Sequence, residues 1–256
     1  MSGPGIDLAG RTALVTGSGQ GVGLAIARGL GLGGAQVWLN DIDEERAGVA
    51  AEELKGAGID ARSVCADVTE ASSIAGMSET TGPVDILVNN AGVPPGVPSL
   101  VPFVETSPQD WAPWTTLNFD AVLRVTHTYL PTMTSRGWGR VLTVVSDAGR
   151  RGEAGQVIYG AAKAGAMGFS RGLAVEVGRF GVTVNCIALG AIRHGAVAGF
   201  LDANPDAEKK VVRAYPLGRM GTVEDPAPLA VLLCSDAASW ITGQVYPVDG
   251  GYTSGL

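Results

Sequence analysis

The 256-residue chain is 46% hydrophobic and 17% charged, the balance of a buried globular core rather than of a disordered segment. A net charge of −7 with no basic stripe excludes a nucleic-acid partner, because counterion release needs clustered Lys and Arg. No run of about 18 apolar residues occurs, so no membrane span is expected.

The N-terminal MSGPGIDLAGR lacks both a charged n-region and an apolar h-region, so no signal peptide is expected and a cytoplasmic location is. From there, short β-branched runs alternate with longer helix-compatible segments. TALVT (12–16) leads into a helical stretch ending near Gly33, and QVWLND (36–41) into one beginning near Asp43. SVCAD (63–67), DILVNN (85–90), RVLTVVS (140–146) and VTVNCIA (182–188) continue the rhythm, and QVYPVD (244–249) closes it. The runs are near-continuously apolar, as expected for strands covered on both faces. The pattern predicts one α/β domain over 1–256, a doubly wound Rossmann-type parallel sheet of about seven strands with helices on both faces. Residues 193–222 break the rhythm; the segment is too long for an ordinary connection, and its apolar content points to a lid over a site. Cys65, Cys186 and Cys234 are widely spaced in apolar stretches and read as buried free thiols. With only His127 and His194 to join them, no metal site is expected.

TGSGQGVG (16–23) follows the first strand and opens the first helix, where a dinucleotide pyrophosphate meets backbone N–H groups. Gly17, Gln20, Gly21, Val22 and Gly23 are therefore cofactor-binding candidates. The spacing is not the common GxGxxG fingerprint, since its last position is Val22 or Leu24 in either register. Asn40-Asp41 ends the second strand, and a carboxylate there accepts from ribose hydroxyls and repels a 2′-phosphate. Asp43, followed by Glu44 and Glu45, suits a helix cap better than Asp41 does. No Arg or Lys lies between Gly34 and Arg46, so a phosphate clamp is lacking and NAD is expected over NADP.

The ordered motifs resemble those of the short-chain dehydrogenase/reductase family over nearly the whole chain. TGSGQGVG is similar to the family's TGxxxGxG loop, Asp67-Val68 to its adenine-contacting pair, and Asn89-Asn90-Ala91-Gly92 to its NNAG motif. Asn118, Ser146, Tyr159-xxx-Lys163 and VYPVDGG (245–251) follow in the family's order. The resemblance implies an NAD-dependent oxidoreductase for a secondary alcohol or ketone. It adds Ile42, Asn90, Ala91, Gly92 and Ile192 to the cofactor contacts, and implies a homotetramer.

Hydride exchange with an alcohol also requires a proton to move at oxygen. Tyr159 and Lys163, four residues apart, share a helix face. A free Tyr is a poor base at neutral pH, and a nearby ammonium favours phenolate. Lys163 is thus expected to lower the Tyr159 pKa and, by the resemblance, to hold the nicotinamide ribose. Ser146 would steady the substrate oxygen. Asn118, by the resemblance, would anchor a water relaying the proton from Lys163.

Three departures bear on the substrate. Where the family has PGxIxT, this chain reads LGAIRH, with Leu189 for Pro and His194 for Thr. Asp147 stands beside Ser146, where many relatives have a small residue. Arg150 and Arg151, with Lys209, Lys210 and Arg213 of the lid, are candidates to meet an anionic substrate such as a CoA thioester. Two rival functions stand beside the main one: an NADPH-using 3-oxoacyl-thioester reductase, against which Asp41 speaks, and a dinucleotide sensor without turnover.

Overall fold

The computed structural model describes residues 6–97 and 100–254. Met1–Gly5, on which part of the signal-peptide expectation falls, lie outside the described residues.

Seven parallel strands form one sheet in the order β3-β2-β1-β4-β5-β6-β7. They are β1 (Thr12–Val15), β2 (Gln36–Asp41), β3 (Ala61–Cys65), β4 (Ile86–Asn89), β5 (Gly139–Ser146), β6 (Val182–Leu189) and β7 (Val245–Val248). Each predicted run supplies one strand, with ends moved by a residue or two. β1, β4 and most of β5 and β6 are buried on both sides, which is why they read as unbroken apolar runs. β3 differs: it lies at the sheet edge, three of its five residues are exposed, and Cys65 is an exposed thiol, contrary to the buried thiol expected from its apolar neighbours. Cys186 and Cys234 are buried.

Helices α1 (Gly21–Leu32), α2 (Glu44–Gly56) and α3 (Ala71–Thr81) connect the first four strands. The chain continues through α4 (Pro108–Thr115), α5 (Ala121–Arg136), α6 (Ala148–Arg151) and the long α7 (Val157–Val177). Then come α8 (Gly195–Ala203), α9 (Pro205–Val212) and α10 (Ala227–Leu233). Ile26, Leu30, Leu54 and Leu233 pack α1, α2 and α10 on one face of the sheet; Met77, Val125, Tyr129 and Val177 pack α3, α5 and α7 on the other. No described helix is long and apolar enough to cross a membrane.

Local chemistry sets the element ends. Asp43 caps α2 by accepting from Arg46 N (3.0 Å), as its acidic first turn predicts. Ser107 and Asp110 form a capping box at α4, and α5 stops at left-handed Gly137 (φ +70°). Between α4 and α5 the backbone takes a π turn over Thr116–Asp120, with Asn118 at its middle. Such insertions into a helix recur at functional sites. The 193–222 segment forms α8 and α9, and Arg193 ties them together through ion pairs with Asp202 and Glu208.

Candidate functional site

The strand order reverses between β1 and β4, and the crevice above their carboxyl ends is where open parallel sheets bind ligands. The glycine loop lies at this point. Gly17 and Gly21 have φ of +60° and +62°, values that glycine tolerates and side-chain-bearing residues rarely adopt. A Cβ on Gly17 would stand 2.9 Å from Ala91 Cα, and one on Gly23 only 2.5 Å from Gly17 O and from Asn90 Nδ2. These two glycines let the turn press against residues 90–91. At Gly21 a Cβ would meet nothing, so the loop is open there. Gln20, the exposed N-cap of α1, makes no side-chain cap. The first-turn N–H groups, that of Val22 among them, thus face the opening without a capping side chain, the electropositive helix end that suits a pyrophosphate.

Asn90 locks the loop from the far side. Its Nδ2 donates to Thr16 O and Gly17 O, both at 2.9 Å, while Thr16 Oγ1 accepts from the N–H groups of Asn90 (3.0 Å) and Ala91 (3.2 Å). Thr16 is a bracing residue that sequence reasoning passed over; it is the first letter of the TGxxxGxG motif.

Asp41, 5% exposed at the end of β2, accepts from Gly19 N (3.1 Å) and Asp43 N (3.2 Å) and pairs with Arg46. Burial alone would raise its pKa, but the Arg46 hydrogen bond and the two N–H donors outweigh it, and the carboxyl is held below its ordinary value. A cation does stand at this end, contrary to the lack of a phosphate clamp expected from the sequence. The first turn of α2 carries Arg46 back onto Asp41, and its buried Nε has no partner. Ile42 beside it is 53% exposed. After β3, Asp67 accepts from Thr69 N (2.8 Å) and Thr69 Oγ1 (2.7 Å), and Val68 is buried. Ile192, past β6, pairs with Gly221. The glycine cradle, the acid at the second strand and the unpartnered Arg46 Nε fit an adenine dinucleotide.

The catalytic candidates converge at the other end. Ser146 ends β5, Tyr159 and Lys163 lie in the first two turns of α7, and Asn118 sits in the π turn. The Ser146 hydroxyl lies close enough to the Tyr159 phenol to pull its pKa down. Lys163 Nζ donates to Val144 O (2.8 Å) and lies 5.8 Å from the Tyr159 ring centre. Asn118 Nδ2 donates to Trp114 O (3.0 Å), and its Oδ1 is buried without a partner. A Cβ on Gly92 would stand 2.9 Å from Asn118 Oδ1 and 3.0 Å from Lys163 Nζ, so Gly92 opens the space that the lysine and the orphaned amide oxygen face.

Electrostatics differ from expectation at Tyr159. Desolvation pushes its pKa up, with only the nearby Ser146 hydroxyl pulling the other way, contrary to the lowering by Lys163 expected from the sequence. The ammonium points at Val144 O rather than at the phenol. Burial brings Lys163 itself down to about 8.

Two groups emerge that the motifs did not single out. Phe103, Trp111 and Trp114 wall a cavity of about 220 Å³ beside Tyr159; the repeated tryptophans of QDWAPWTT were its only signal. Asp147, with no exposed surface, contacts Arg150 (3.2 Å) and the Asp249 carboxyl, while Thr253 Oγ1 donates to Asp249 (2.5 Å) and also meets Arg150. Arg151 lies 4.2 Å over the Tyr252 ring. Both arginines thus engage the C-terminal turn. His194 is an exposed residue starting α8. Within 193–222, Tyr215 OH accepts from Ala191 N (2.8 Å); the Phe200 side chain lies outside the described residues.

Residues 17–253 match the family profile described as enoyl-(acyl carrier protein) reductase. The chain is 36% identical to the 3-oxoacyl-[acyl-carrier-protein] reductase FabG of Pseudomonas aeruginosa, covering 96% of this chain and 98% of that one. It is 37% identical to 2,3-dihydroxy-2,3-dihydro-p-cumate dehydrogenase of Pseudomonas putida, covering 97% and 96%. Its fold superposes with a TM-score of 0.90 on a putative NAD(P)-dependent gluconate 5-dehydrogenase from Beutenbergia cavernae with bound NADP, at 36% identity over 98% of this chain and 99% of that one. With likeness running from the glycine loop to the C-terminal turn, the chain belongs to the short-chain dehydrogenase/reductase family and is an NAD(P)-dependent oxidoreductase.

Proposed function

We propose that the protein interconverts a secondary alcohol and a ketone with Tyr159 as the general acid–base. The observation that carries this reading is that Tyr159 stands beside the Ser146 hydroxyl, one helical turn from Lys163, and lines a cavity. When bound, the nicotinamide accepts or supplies the hydride. Ser146 orients the substrate oxygen, and Tyr159 takes or gives its proton. The raised phenol pKa of the free site suits proton donation to a ketone; a cationic ring nearby lowers it for alcohol oxidation. Lys163, with its pKa near 8, reaches the space beneath Gly92, where Asn118 Oδ1 supplies an acceptor for a relaying water. Residues 193–222 act as the lid, since Arg193 and Tyr215 fasten α8, α9 and the chain beyond them to the end of β6. The expected homotetramer belongs to the same reading, with the 87% exposed Val175 of α7 among the residues to be covered.

For the cofactor, we read Gly17, Gln20, Gly21, Val22 and Gly23 as the pyrophosphate loop, Asp41 and Ile42 as the adenosine-ribose contacts, and Asp67 and Val68 as the adenine contacts. Asn90, Ala91, Gly92 and Ile192, with Tyr159 and Lys163, line the nicotinamide half. NAD is favoured because the ionised, preorganised Asp41 occupies the place of a 2′-phosphate. One observation favours a second reading, NADP: Arg46, whose Nε lacks a partner, is the cation such a phosphate needs.

Stopped-flow and steady-state assays of wild type and Tyr159→Phe test the chemistry. The variant is expected to bind NADH unchanged and to lose about 10³-fold or more in kcat, beyond what one ordinary hydrogen bond contributes. A variant that keeps wild-type kcat removes Tyr159 from the mechanism. Tighter binding of NADPH than NADH, abolished by Arg46→Ala, decides for the second cofactor.

A further inference from the structure

The cavity beside Tyr159 lies between Val97 and the stretch 101–106, α4 and the segment 155–159. Phe103 and Trp111 stack with ring centres 5.5 Å apart and planes 19° from parallel, and Trp114 meets Tyr159 edge-on at 5.4 Å. The indole N–H of Trp111 donates to Thr106 Oγ1 (2.8 Å), and that hydroxyl donates to Phe103 O (2.8 Å). The wall therefore offers flat apolar surface, with the Trp111 indole N–H and the Thr106 hydroxyl already engaged. Among the described lining residues the charged ones are Glu105 and Asp110, both carboxylates. The Ser107 N–H and hydroxyl hold Asp110 below its ordinary pKa, so it stays ionised. No Lys or Arg is among the described lining residues.

A carboxylate, phosphate or sugar-acid ligand entering here would meet like charge without a cation to pair with. Arg150 and Arg151, which the sequence offered as anion partners, are turned to Asp147, Thr253 and Tyr252. A ring, in contrast, finds stacking surface, and a hydroxyl on it finds acceptors at the rim. We infer that the cavity takes the body of a neutral, ring-bearing alcohol or ketone, aromatic or alicyclic, and rejects anionic substrates. The inference deepens the alcohol–ketone reading and rests on Tyr159 marking the reacting carbon. In the oxidising direction the carbinol C–H leaves as hydride to the oxidised nicotinamide dinucleotide, the O–H proton goes to Tyr159, and a ketone results.

The test uses two ligands that share a phenyl ring and a carbinol: 1-phenylethane-1,2-diol, which is neutral, and mandelate, which carries a carboxylate. Binding to the full-length protein saturated with dinucleotide is measured by calorimetry, and turnover by NADH or NADPH absorbance, with gluconate as a further anion. The diol is expected to bind at least about tenfold more tightly than mandelate, the scale of one uncompensated charge near a carboxylate pair. Trp111→Ala should raise the KM of the diol about tenfold while changing that of 2-propanol, too small to reach the wall, by less than about twofold. Glu105→Lys should narrow the gap between diol and mandelate. Equal or tighter binding of mandelate or gluconate overturns the inference, as does failure of all three to bind. If the diol binds preferentially but nothing is turned over, the cavity assignment stands and the role of Tyr159 falls instead.

Discussion

Asp147→Asn is expected to stabilise the protein at neutral and alkaline pH and to leave it unchanged in acid. The side chain has no exposed surface, its Oδ2 has no hydrogen-bond partner, and the Asp249 carboxyl acts on it at close quarters. Burial first, then the negative charge of Asp249, push the Asp147 pKa from 3.8 to about 6, and the Arg150 guanidinium at 3.2 Å only partly offsets them. Asp249 is held low instead, because Thr253 and the N–H of Gly251 donate to it. Since the folded state raises the Asp147 pKa, the stability it contributes is fully present below 3.8 and is lost as the pH rises through about 6. The whole shift corresponds to about 3 kcal/mol; the opposite shift of Asp249 and screening through the thin covering turn reduce it to about 1–2 kcal/mol. Asparagine keeps the shape of the protonated acid, donates to Asp249 and never ionises. By thermal unfolding at pH 8 the variant should melt about 3–6 °C above wild type, and by pH 4 the two should coincide. A variant less stable than wild type at pH 8, or a difference independent of pH, would refute the raised Asp147 pKa as the cause. Because Asp147 follows Ser146 directly, the same variant should also flatten any acidic limb of kcat that falls near pH 6.

Gly92→Ala places a methyl 2.9 Å from Asn118 Oδ1 and 3.0 Å from Lys163 Nζ, so kcat is expected to fall about 10–100-fold while the melting temperature moves little; steady-state kinetics beside calorimetric melting separates the two effects. Gly23→Ala drives a Cβ to 2.5 Å from Gly17 O, and backbone cannot yield as a side-chain tip does. A loss of about 1–3 kcal/mol in urea unfolding and a weaker dinucleotide Kd should follow together. In the native protein a thiol reagent should label Cys65 alone, since Cys186 and Cys234 are buried and burial pushes Cys234 up to about 12; labelling counted by mass spectrometry before and after unfolding checks this.

Much was legible in the chain because it is written in local order. The strands of a sheet covered on both faces must be apolar along their whole length, so β1, β4, β5 and β6 stand out as unbroken runs. The glycines of the first turn could be read because backbone conformation and close approach exclude any other residue at Gly17 and Gly23. Ser146, Tyr159 and Lys163 could be read because a strand end and one helical turn fix their spacing.

What the sequence left undetermined depends on contacts between distant segments. Cys65 sits in an apolar run like its neighbours, yet β3 has a partner strand on one side only, so its burial was decided by sheet order. Arg46 lies five positions past Asp41 in the sequence, but the first turn of α2 folds it back onto that carboxylate. Burial raises the Tyr159 pKa, and the Lys163 ammonium does not offset it because Val144 O takes it. Asp147 and Asp249, 102 positions apart in the sequence, come to act on one another only because β6 and β7 carry the C-terminal turn back to α6. The aromatic wall is of the same kind: a loop, a short helix and the start of α7 enclose it together. Periodicity and spacing set the scaffold and the chemistry at its strand ends, because those are properties of neighbouring residues. Charge balance and the shape of the substrate cavity were settled by tertiary packing, because electrostatic and steric terms follow distance in space and not along the chain.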